Sequence, residues 1–456
     1  MNPHTPEARD ASYHLHSYTN PMTLQETGGL VMVRGDGVYV EDIHGRRYLD
    51  GMAGLWSASL GFSEPRLARA AYEQMSRISF YHTFFGRATE PVIDLAERLV
   101  AMTPEPLNKV FFANSGSEAN DTAIKIIWYY NNALGRPQKK KILSRRMGYH
   151  GVTVATASLT AIPVNQTAFD LPIDRIGHLT CPHYYREGEP GESEEAFTDR
   201  LAHELEQRIL DEGPDTVAAL FAEPVMAAGG VIVPPKGYFE KIQSVLRKYD
   251  VLLVADEVVC AFGRTGNMFG SETFGLEPDM MTLAKALSAS AAPISALMIS
   301  DAIHAVISSK SNEIGMFGHG YTYSGHPMPA AVALETLKIY EERDILSHVR
   351  EVAPVFQARL AALQSHPLVG EARGIGLLGA VEMVADRNTG AAFDPALTVG
   401  ARANQLALER GLILRARGDI LTICPPLIIS EAEVNVLFDR LHETLDAMAS
   451  ELERAA

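Results

Sequence analysis

The chain has 456 residues, more than one hydrophobic core usually supports, and a formal net charge of −16. Its hydrophobic fraction of 46% and charged fraction of 21% are typical of an ordinary globular protein, and the acidic balance disfavours nucleic acid as a partner. No run of 18 apolar residues occurs, so we predict no membrane span.

The cysteines and the N-terminal segment indicate a reducing compartment. Three scattered cysteines, Cys181, Cys260 and Cys424, give neither a disulfide framework nor the spacing of a metal site, so no metal is expected. The first twenty residues lack the basic and then apolar pattern of a signal peptide. We therefore expect a cytoplasmic protein.

The N-terminal region, residues 1–60, is predicted to be an arm followed by a β-hairpin. In GVYVEDIHGRRYLD, two runs of β-forming residues flank a turn that contains Gly45. We expect this region to pack with the C-terminal domain. Further along, the only dense basic cluster, Lys139–Lys141, leads into an apolar stretch and is predicted to be a solvated loop or a strand edge.

Residues 61–329 are predicted to form a large α/β domain. Short apolar strands alternate with helices from about residue 109, which indicates a mostly parallel sheet that is buried on both faces. The predicted strands are KVFFA, KKILSR, VAALFAEP, VLLVADEVV, MMTLAKA and ISALMIS. Helices are predicted after the first of them, from about Ser117, and within DRLAHELEQRIL and YFEKIQSVLRKY.

Residues 330–456 are predicted to form a smaller C-terminal α/β domain. The segment AAVALETLKIYEERDILSHV has the pattern of one amphipathic helix, and GIGLLGAVEMV is strand-like. The last helix is predicted to begin with a capping box made by Ser430 and Glu433. Its apolar face carries Val434, Leu437, Leu441, Leu445 and Met448.

Two stretches could bind a phosphorylated aromatic ligand. In FFANSGSEAND a strand turns through Ser115-Gly116-Ser117 into a helix, and free N–H groups at a helix start attract anions. In GYHG, Tyr149 follows a strand and offers a flat aromatic face. Each feature also has a structural explanation, because such a turn is often only a helix cap and a tyrosine is often only core.

Two strand ends carry charge in apolar surroundings. The strand VLLVA ends in Asp256 and Glu257, of which only one can point into a given site because neighbouring strand residues face opposite ways. Lys285 ends another strand, between two alanines, where burial would lower its pKa and give an amine nucleophile. Taken singly, the acid could cap a helix and the lysine could extend to solvent.

Together the four features match what pyridoxal 5′-phosphate needs. A lysine binds its aldehyde, an acid keeps its pyridine nitrogen protonated, a turn binds its phosphate, and an aromatic side chain stacks on its ring. We therefore predict a pyridoxal phosphate enzyme.

The chain resembles the class III (ω-) aminotransferases of fold type I over nearly its whole length. The motifs that carry the resemblance are NSGSEAND, GYHG, EPVMAAGGVIVPP, LLVADEVVCAFGRTG, LAKAL and HGYTYSGHP. It implies a large domain with a mostly parallel seven-stranded sheet, a smaller C-terminal domain, and a homodimer with shared active sites. It also implies the cofactor residues Gly116, Ser117, Tyr149, Glu223, Asp256, Val258 and Lys285, with Thr322 supplied by the neighbouring subunit.

Within the class, MAGLW and YHTFF are similar to the amine:pyruvate branch. This similarity implies that Trp56, Phe84 and Tyr18 line a pocket for the apolar part of an amine, and that Arg415 binds the carboxylate of the keto acid. Two departures accompany it. Arg417 could bring a second positive charge to the pocket mouth or point to solvent, and Ala291 could leave extra room near the cofactor.

Other functions are less well supported by the sequence. GIGLLG, residues 374–379, fits a dinucleotide-binding pattern, but AVEMV after it is strand-like where a helix is required. Two His-Glu pairs lack the second histidine of a zinc hydrolase. The serious alternative has the same fold, namely an ω-amino-acid or ornithine-type aminotransferase, or an aminomutase.

Overall fold

The structure is a computed structural model that describes residues 4–455. In the described part of the chain the strands are β1 (Met32–Asp36), β2 (Tyr39–Asp42), β3 (Arg47–Asp50), β4 (Leu107–Ala113), β5 (Lys141–Arg145), β6 (Ile176–Leu179), β7 (Val217–Ala222), β8 (Leu252–Asp256), β9 (Met280–Leu283), β10 (Ser295–Ser300), β11 (Val369–Ile375), β12 (Leu378–Met383), β13 (Leu412–Ile413), β14 (Arg415–Arg417) and β15 (Ile420–Ile423).

The α-helices lie before, between and after these strands. In chain order they are α1 (Pro6–Tyr13), α2 (Pro21–Thr27), α3 (Ala53–Trp56), α4 (Pro65–Arg77), α5 (Glu90–Met102), α6 (Gly116–Ala133), α7 (Val154–Leu159), α8 (Tyr184–Glu187), α9 (Glu194–Glu212), α10 (Tyr238–Lys248), α11 (Gly270–Phe274), α12 (Asp301–Ile314), α13 (Pro327–Glu342), α14 (Ile345–Ala362), α15 (Val399–Glu409) and α16 (Glu431–Ala455).

The central sheet has seven strands in the order β4-β10-β9-β8-β7-β5-β6, and only β10 runs against the others. The predicted mostly parallel seven-stranded sheet is thus confirmed. Six of its strands correspond to predicted segments, whereas β6 was not predicted. Its sequence, IGHL, is short and has a glycine and a histidine at its centre, so its composition does not indicate a strand.

Both faces of this sheet are covered, as the continuous apolar strands require. On one face Ile124 and Ile127 of α6 pack in a cluster with Val254 of β8. On the other face Phe197 of α9 packs in a cluster with Leu253, the residue that directly precedes Val254 in β8. Adjacent residues of one strand therefore pack into the cores on opposite faces of the sheet.

Two smaller sheets involve the ends of the chain. The predicted hairpin forms β2 and β3, with Gly45 at a φ of +79° in its turn, and β13 from the C-terminal region pairs with β3. This pairing is consistent with the expected packing of the N-terminal region on the C-terminal part. The other sheet has the order β11-β12-β15-β14. The domain boundaries after residues 60 and 329 stay predictions.

The GIGLLG segment forms a tight antiparallel turn between β11 and β12, in which Gly374 lies opposite Gly379. Gly376 has a φ of +57° there, and a Cβ atom on it would lie 2.4 Å from the carbonyl oxygen of Arg264. Strand follows strand, so the dinucleotide interpretation has no structural support.

The predicted helix AAVALETLKIYEERDILSHV is in fact two helices, α13 and α14. The chain breaks at Asp344, which has a left-handed φ of +47° and accepts a hydrogen bond from the Ser347 N–H to cap α14. By contrast, the final helix has the predicted capping box. Ser430 Oγ accepts from the Glu433 N–H at 3.3 Å, and the Ser430 N–H donates to the Glu433 carboxylate at 2.9 Å.

The basic cluster lies in the loop before β5 and at the first residue of that strand, as predicted, but it is less solvated than expected. Lys139 is only 5% exposed and donates to the carbonyl of Tyr249. Lys140 donates to the Trp128 carbonyl, and Lys141 forms an ion pair with Glu212. All three ammonium groups are thus bound by groups of neighbouring helices or of the residue that follows one. Among the described helices none is long and apolar enough to cross a membrane, and the three cysteines are free and buried.

Candidate active site

A cavity of about 580 Å³ lies at the carboxyl ends of the central strands, where open α/β sheets bind their ligands. The segments that follow β4, β5, β7, β8 and β9 all contribute to its wall. Ten of the predicted site residues line it: Tyr18, Trp56, Gly116, Ser117, Tyr149, Glu223, Asp256, Val258, Lys285 and Arg415.

Lys285 enters the cavity from the end of β9. It is half-buried and has a left-handed φ of +49°, a conformation that non-glycine residues adopt at a cost and that often marks a functional site. Burial lowers the pKa of its amine, although the nearby carboxylates of Asp256 and Glu223 act in the opposite direction. The lysine is therefore more readily deprotonated than an exposed one, as a nucleophile must be.

Asp256 is buried at the end of β8, and three hydrogen-bond donors surround its carboxylate. Oδ2 accepts from Asn120 Nδ2 and contacts His150 Nδ1, both at 2.8 Å, and Oδ1 accepts from the Val258 N–H at 3.2 Å. Burial alone would raise the pKa of Asp256, but the hydrogen bonds and the charge of His150 lower it. The site thus keeps an anion in its floor, with no lysine or arginine paired to it among residues 4–455.

Glu257 points the other way, as strand alternation requires. Its carboxylate accepts from the Gly270 N–H at 3.0 Å and from the backbone and hydroxyl of Ser271, so it holds the start of α11. Of the two adjacent acids, only Asp256 belongs to the cavity.

The turn after β4 brings the first residues of α6, Gly116 and Ser117, to the cavity wall. Ser115 caps the helix by accepting from the Glu118 N–H, and Ser117 Oγ accepts from the Val152 N–H at 3.1 Å. A Cβ atom on Gly116 would lie 3.1 Å from Val258 Cγ2, so a side chain there would crowd the cavity wall. The turn has the geometry of an anion site.

Tyr149 and Glu223 form one side of the cavity. The Tyr149 N–H donates to Glu223 Oε1 at 2.9 Å, and burial raises the pKa of the tyrosine, with a further contribution from the hydroxyl of Tyr18. Burial also raises the pKa of Glu223 to about 7. A group with such a pKa can take up or release a proton near neutral pH.

The outer part of the cavity combines an aromatic wall with a cation. The guanidinium carbon of Arg415 lies 4.7 Å from the ring centroid of Trp56, and the Lys285 amine lies 5.9 Å from the same centroid. Within the described residues no carboxylate pairs with Arg415, and burial lowers the pKa of this arginine. An unpaired, partly desolvated arginine is a ready partner for the carboxylate of a ligand.

Comparison with known proteins identifies the family. The Aminotransferase class-III family model matches residues 23–445. The chain belongs to this family. It is 51% identical to gamma-aminobutyrate transaminase 1, mitochondrial, of Oryza sativa subsp. indica, over 92% of this chain and 81% of that protein.

Solved structures agree with this assignment. The omega transaminase from Pseudomonas jessenii in complex with PMP superposes with a TM-score of 0.97 at 52% identity, and the match covers 99% of this chain and 100% of that one. A second structure, described as a transaminase with L-ala, has a TM-score of 0.92 at 57% identity, covering 93% and 100% of the two chains. The protein is thus an aminotransferase that uses pyridoxal phosphate and moves an amino group between an amine and a keto acid.

The residues of the aminotransferase fit this cofactor. Beside the Asp256 carboxylate, the buried atoms Asn120 Oδ1 and His150 Nε2 have no hydrogen-bond partner, as expected where a polar ligand is to bind. The start of α6 offers N–H groups for a phosphate, and Lys285 offers an amine for an aldehyde. Each group of pyridoxal phosphate therefore has a suitable partner here: N–H groups for the phosphate, an amine for the aldehyde, and a carboxylate for the protonated ring nitrogen.

Four predicted features of the aminotransferase lie elsewhere. Phe84 does not line the cavity of its own chain, because its ring packs against Gly320 instead. Thr322 also lies outside this cavity and is exposed, which agrees with a role in a neighbouring subunit.

Arg417 neither points to solvent nor reaches the cavity mouth, because it donates to the Gly229 carbonyl at 2.9 Å. Ala291 lines a separate cavity, and Ala292 lines this one.

Sequence reasoning missed the two residues that hold Asp256. His150 stands next to Tyr149 in the GYHG motif, and Asn120 lies one helical turn beyond Gly116. The spacing of Asn120 was a usable signal, since residues four apart share one face of a helix. Nothing in the sequence shows that His150, rather than another polar residue, reaches the end of β8.

Proposed function

We propose that this enzyme transfers an amino group from a primary amine to pyruvate or a similar keto acid in a ping-pong reaction. This proposal depends on one observation: Trp56 and Arg415 lie side by side in the cavity that Lys285 lines, and Arg415 has no carboxylate partner among the described residues. The apolar part of an amine can pack on the indole of Trp56 and needs no ion pair. A keto acid can bind the guanidinium of Arg415 through its carboxylate. One cavity then accepts two substrates of opposite polarity in turn.

The cofactor supplies an electron sink when it is bound. Asp256, held ionised by Asn120 and His150, would keep the ring nitrogen protonated. Lys285 would bind the aldehyde and, once free, would take up on its amine the proton that leaves the substrate carbon. The N–H groups of Gly116 and Ser117 would hold the phosphate, Tyr149 and Val258 would pack against the ring, and Glu223 would lie near it as a buried acid.

A relative supports the role of the outer cavity. A variant of the P. jessenii omega transaminase, engineered for asymmetric synthesis of enantiopure bulky amines, replaces a tryptophan, a phenylalanine and an arginine. The three substituted positions have the same spacing along that chain as Trp56, Phe84 and Arg415 have here. This match supports the assignment of these residues to substrate selection.

A homodimer with shared active sites belongs to the same proposal. Phe84 and Thr322 lie outside the cavity of their own chain, on one surface where Thr83 Oγ1 donates to the Ser324 carbonyl. This surface is rich in exposed aromatic side chains, among them Tyr81, Phe84, Phe85 and Tyr323. Such a patch is expected at an interface, so we assign Phe84 and Thr322 to the partner's site.

A cytoplasmic location is also part of the proposal, supported by three free, buried cysteines.

The alternative function is an ω-amino-acid aminotransferase. It is favoured by curated relatives from Oryza sativa and Solanum lycopersicum that are named gamma-aminobutyrate transaminases and are 49–51% identical to this chain. Such an enzyme would need to bind a carboxylate in the donor as well as in the acceptor, and Arg415 could serve both.

A panel of donors and acceptors decides between the two functions. We expect neutral primary amines with pyruvate to react faster than gamma-aminobutyrate, and pyruvate to be preferred over 2-oxoglutarate. Arg415→Leu is expected to raise the KM for pyruvate by about 10- to 100-fold because a charge-assisted bidentate contact is lost. The half-reaction with a neutral amine, followed by cofactor absorbance, should change much less.

Arg417→Leu is the matched control, since this arginine lies two residues away on the same strand and donates to Gly229. It should leave the KM for pyruvate near that of the unmodified enzyme. Faster turnover of gamma-aminobutyrate than of any neutral amine would contradict the proposal and establish the alternative.

A further inference from the structure

A second cavity, of about 660 Å³, lies beside the active-site cavity. Six apolar residues form most of its wall, and uncharged Tyr18, Thr19, Asn20 and Asn165 complete it. The apolar residues are Val152, Val154, Ala157, Val164, Phe169 and Leu171. Of the described residues around it, none is a lysine, arginine, aspartate, glutamate or histidine. The wall thus offers no partner for a charged ligand group, and its valines and Phe169 favour an apolar one.

The two cavities share Tyr18 as a lining residue. They also share one stretch of chain, because Tyr149 and Gly151 face the active-site cavity whereas Val152 and Val154 face the second one. The two cavities thus adjoin at Tyr18 and along the chain from Tyr149 to Val154.

Tyr18 is suited to move. It lies in the loop between α1 and α2, its side chain is 58% exposed, and its φ of +50° is left-handed. Its hydroxyl accepts a hydrogen bond from Asn165 Nδ2 and also bonds the hydroxyl of Tyr149. An exposed ring that is held mainly through its hydroxyl can swing when those hydrogen bonds break.

We propose that the second cavity is a subsite for the apolar tail of the amine donor, and that Tyr18 controls entry to it. The inference rests on the proposed function and narrows its substrate class to primary amines with a long, uncharged hydrocarbon chain. The amine group would lie at Lys285, and the tail would pass Tyr18 to reach the valines and Phe169.

The position of the cavity favours this occupant. Val154, Val164 and Phe169 are each at least 67% exposed, so this surface could in principle bind a second copy of the chain. The shared Tyr18 connects it to the reacting centre, however, and a substrate tail gains from each methylene that it buries there. A tail that ends in a carboxylate would meet no cation in this lining.

The test compares butylamine and octylamine as donors with pyruvate as acceptor. Each methylene transferred from water to an apolar site increases binding by about fourfold. We expect Tyr18→Ala to raise the octylamine-to-butylamine ratio of kcat/KM by about tenfold or more, because the cavities then join. Phe169→Asp should lower the same ratio, and in the double variant it should remove the gain of Tyr18→Ala.

Leu397→Asp is the control, since Leu397 is also an exposed apolar residue, at 52% against 68% for Phe169, and lies outside both cavities. It should leave the ratio unchanged. Both tested positions are exposed, so the variants should fold, and size-exclusion chromatography is run on each.

Equal ratios in all variants, or a change of oligomeric state in Phe169→Asp without a change in the ratio, would overturn the subsite. If neither amine reacts with pyruvate while gamma-aminobutyrate does, the proposed function fails instead, so the two failures are distinguishable.

Discussion

Asp256 and Glu257 are adjacent, both buried, and chemically alike, yet the structure gives them opposite tasks. Asp256 is 3% exposed in the cavity floor, where hydrogen bonds from Asn120 and His150 lower its pKa. Glu257 is fully buried behind it, where burial raises its pKa to about 7. The donors around each carboxylate, and not the residue type, decide which one is ionised.

The residue-scale prediction compares isosteric changes at these two positions. Asp256→Asn should lower kcat by about 100- to 1,000-fold, because the cofactor ring loses the anion that keeps it protonated. Glu257→Gln is the control and should keep a kcat close to that of the unmodified enzyme when equal amounts of folded protein are assayed. Steady-state kinetics with saturating pyridoxal phosphate measure both values, and a similar loss in the two variants would contradict the assignment.

At the scale of elements, the end of β8 is tied to α11 through the Glu257 carboxylate. It accepts from the Gly270 and Ser271 N–H groups and the Ser271 hydroxyl. The helix has only five residues, so its start depends on this contact more than on its own propensity. We call this contact of Glu257 with Gly270 and Ser271 the anchor. It also holds the chain segment that follows Asp256 in place.

This anchor should make stability depend on pH. Burial raises the pKa of Glu257 from 4.5 to about 7, so between these values the native state keeps a proton that the unfolded chain releases. Its contribution to stability is complete below pH 4.5 and is lost as the pH rises to 7. Glu257→Gln cannot lose this proton.

We therefore expect the unfolding free energy of the unmodified protein, relative to Glu257→Gln, to fall by up to about 3 kcal/mol between about pH 5 and pH 8. Urea denaturation of both proteins at the two pH values measures this difference. Asp50 and Glu223 also have raised pKa values, but their effects are common to both proteins and cancel. A difference that does not change with pH would show that Glu257 is ionised throughout.

At the scale of the whole molecule, the cavity of one chain lacks two of the predicted site residues, Phe84 and Thr322. Phe84 and Thr322 lie on an exposed aromatic surface away from Lys285. A twofold dimer through this surface would place each chain's residues at the partner's cavity.

Mixing two inactive variants tests this arrangement. In a dimer with shared sites, a hybrid of a Lys285→Ala chain and a Thr322→Asp chain has one intact site, because the second chain supplies Lys285 and the first supplies Thr322. After dissociation and reassociation, random pairing should restore about a quarter of the original activity. Turnover assays before and after mixing measure the recovery.

A mixture of Lys285→Ala with Asp256→Asn is the control. Both residues line the cavity of one chain, so every site in that hybrid keeps one lesion and no activity should return. Recovery in the control, or none in the test mixture, would contradict a site shared through Thr322.

The sequence by itself determined the elements and the chemistry that depend on local pattern. Apolar runs predicted six of the seven central strands, Ser430 and Glu433 predicted the cap of the last helix, and the residue types near Gly116, Asp256 and Lys285 predicted the cofactor. Periodicity, capping and strand alternation act over a few residues, so they can be read without the fold.

Only the tertiary structure decided contacts between distant segments. His150 and Asn120 meet Asp256 across 106 and 136 positions of chain, and Arg417 is held by the carbonyl of Gly229, 188 positions away. Tyr18 comes to line two cavities in the same way. Which donor reaches a buried carboxylate, or which carbonyl captures an arginine, depends on how the sheet and its loops pack, and no local pattern encodes that geometry.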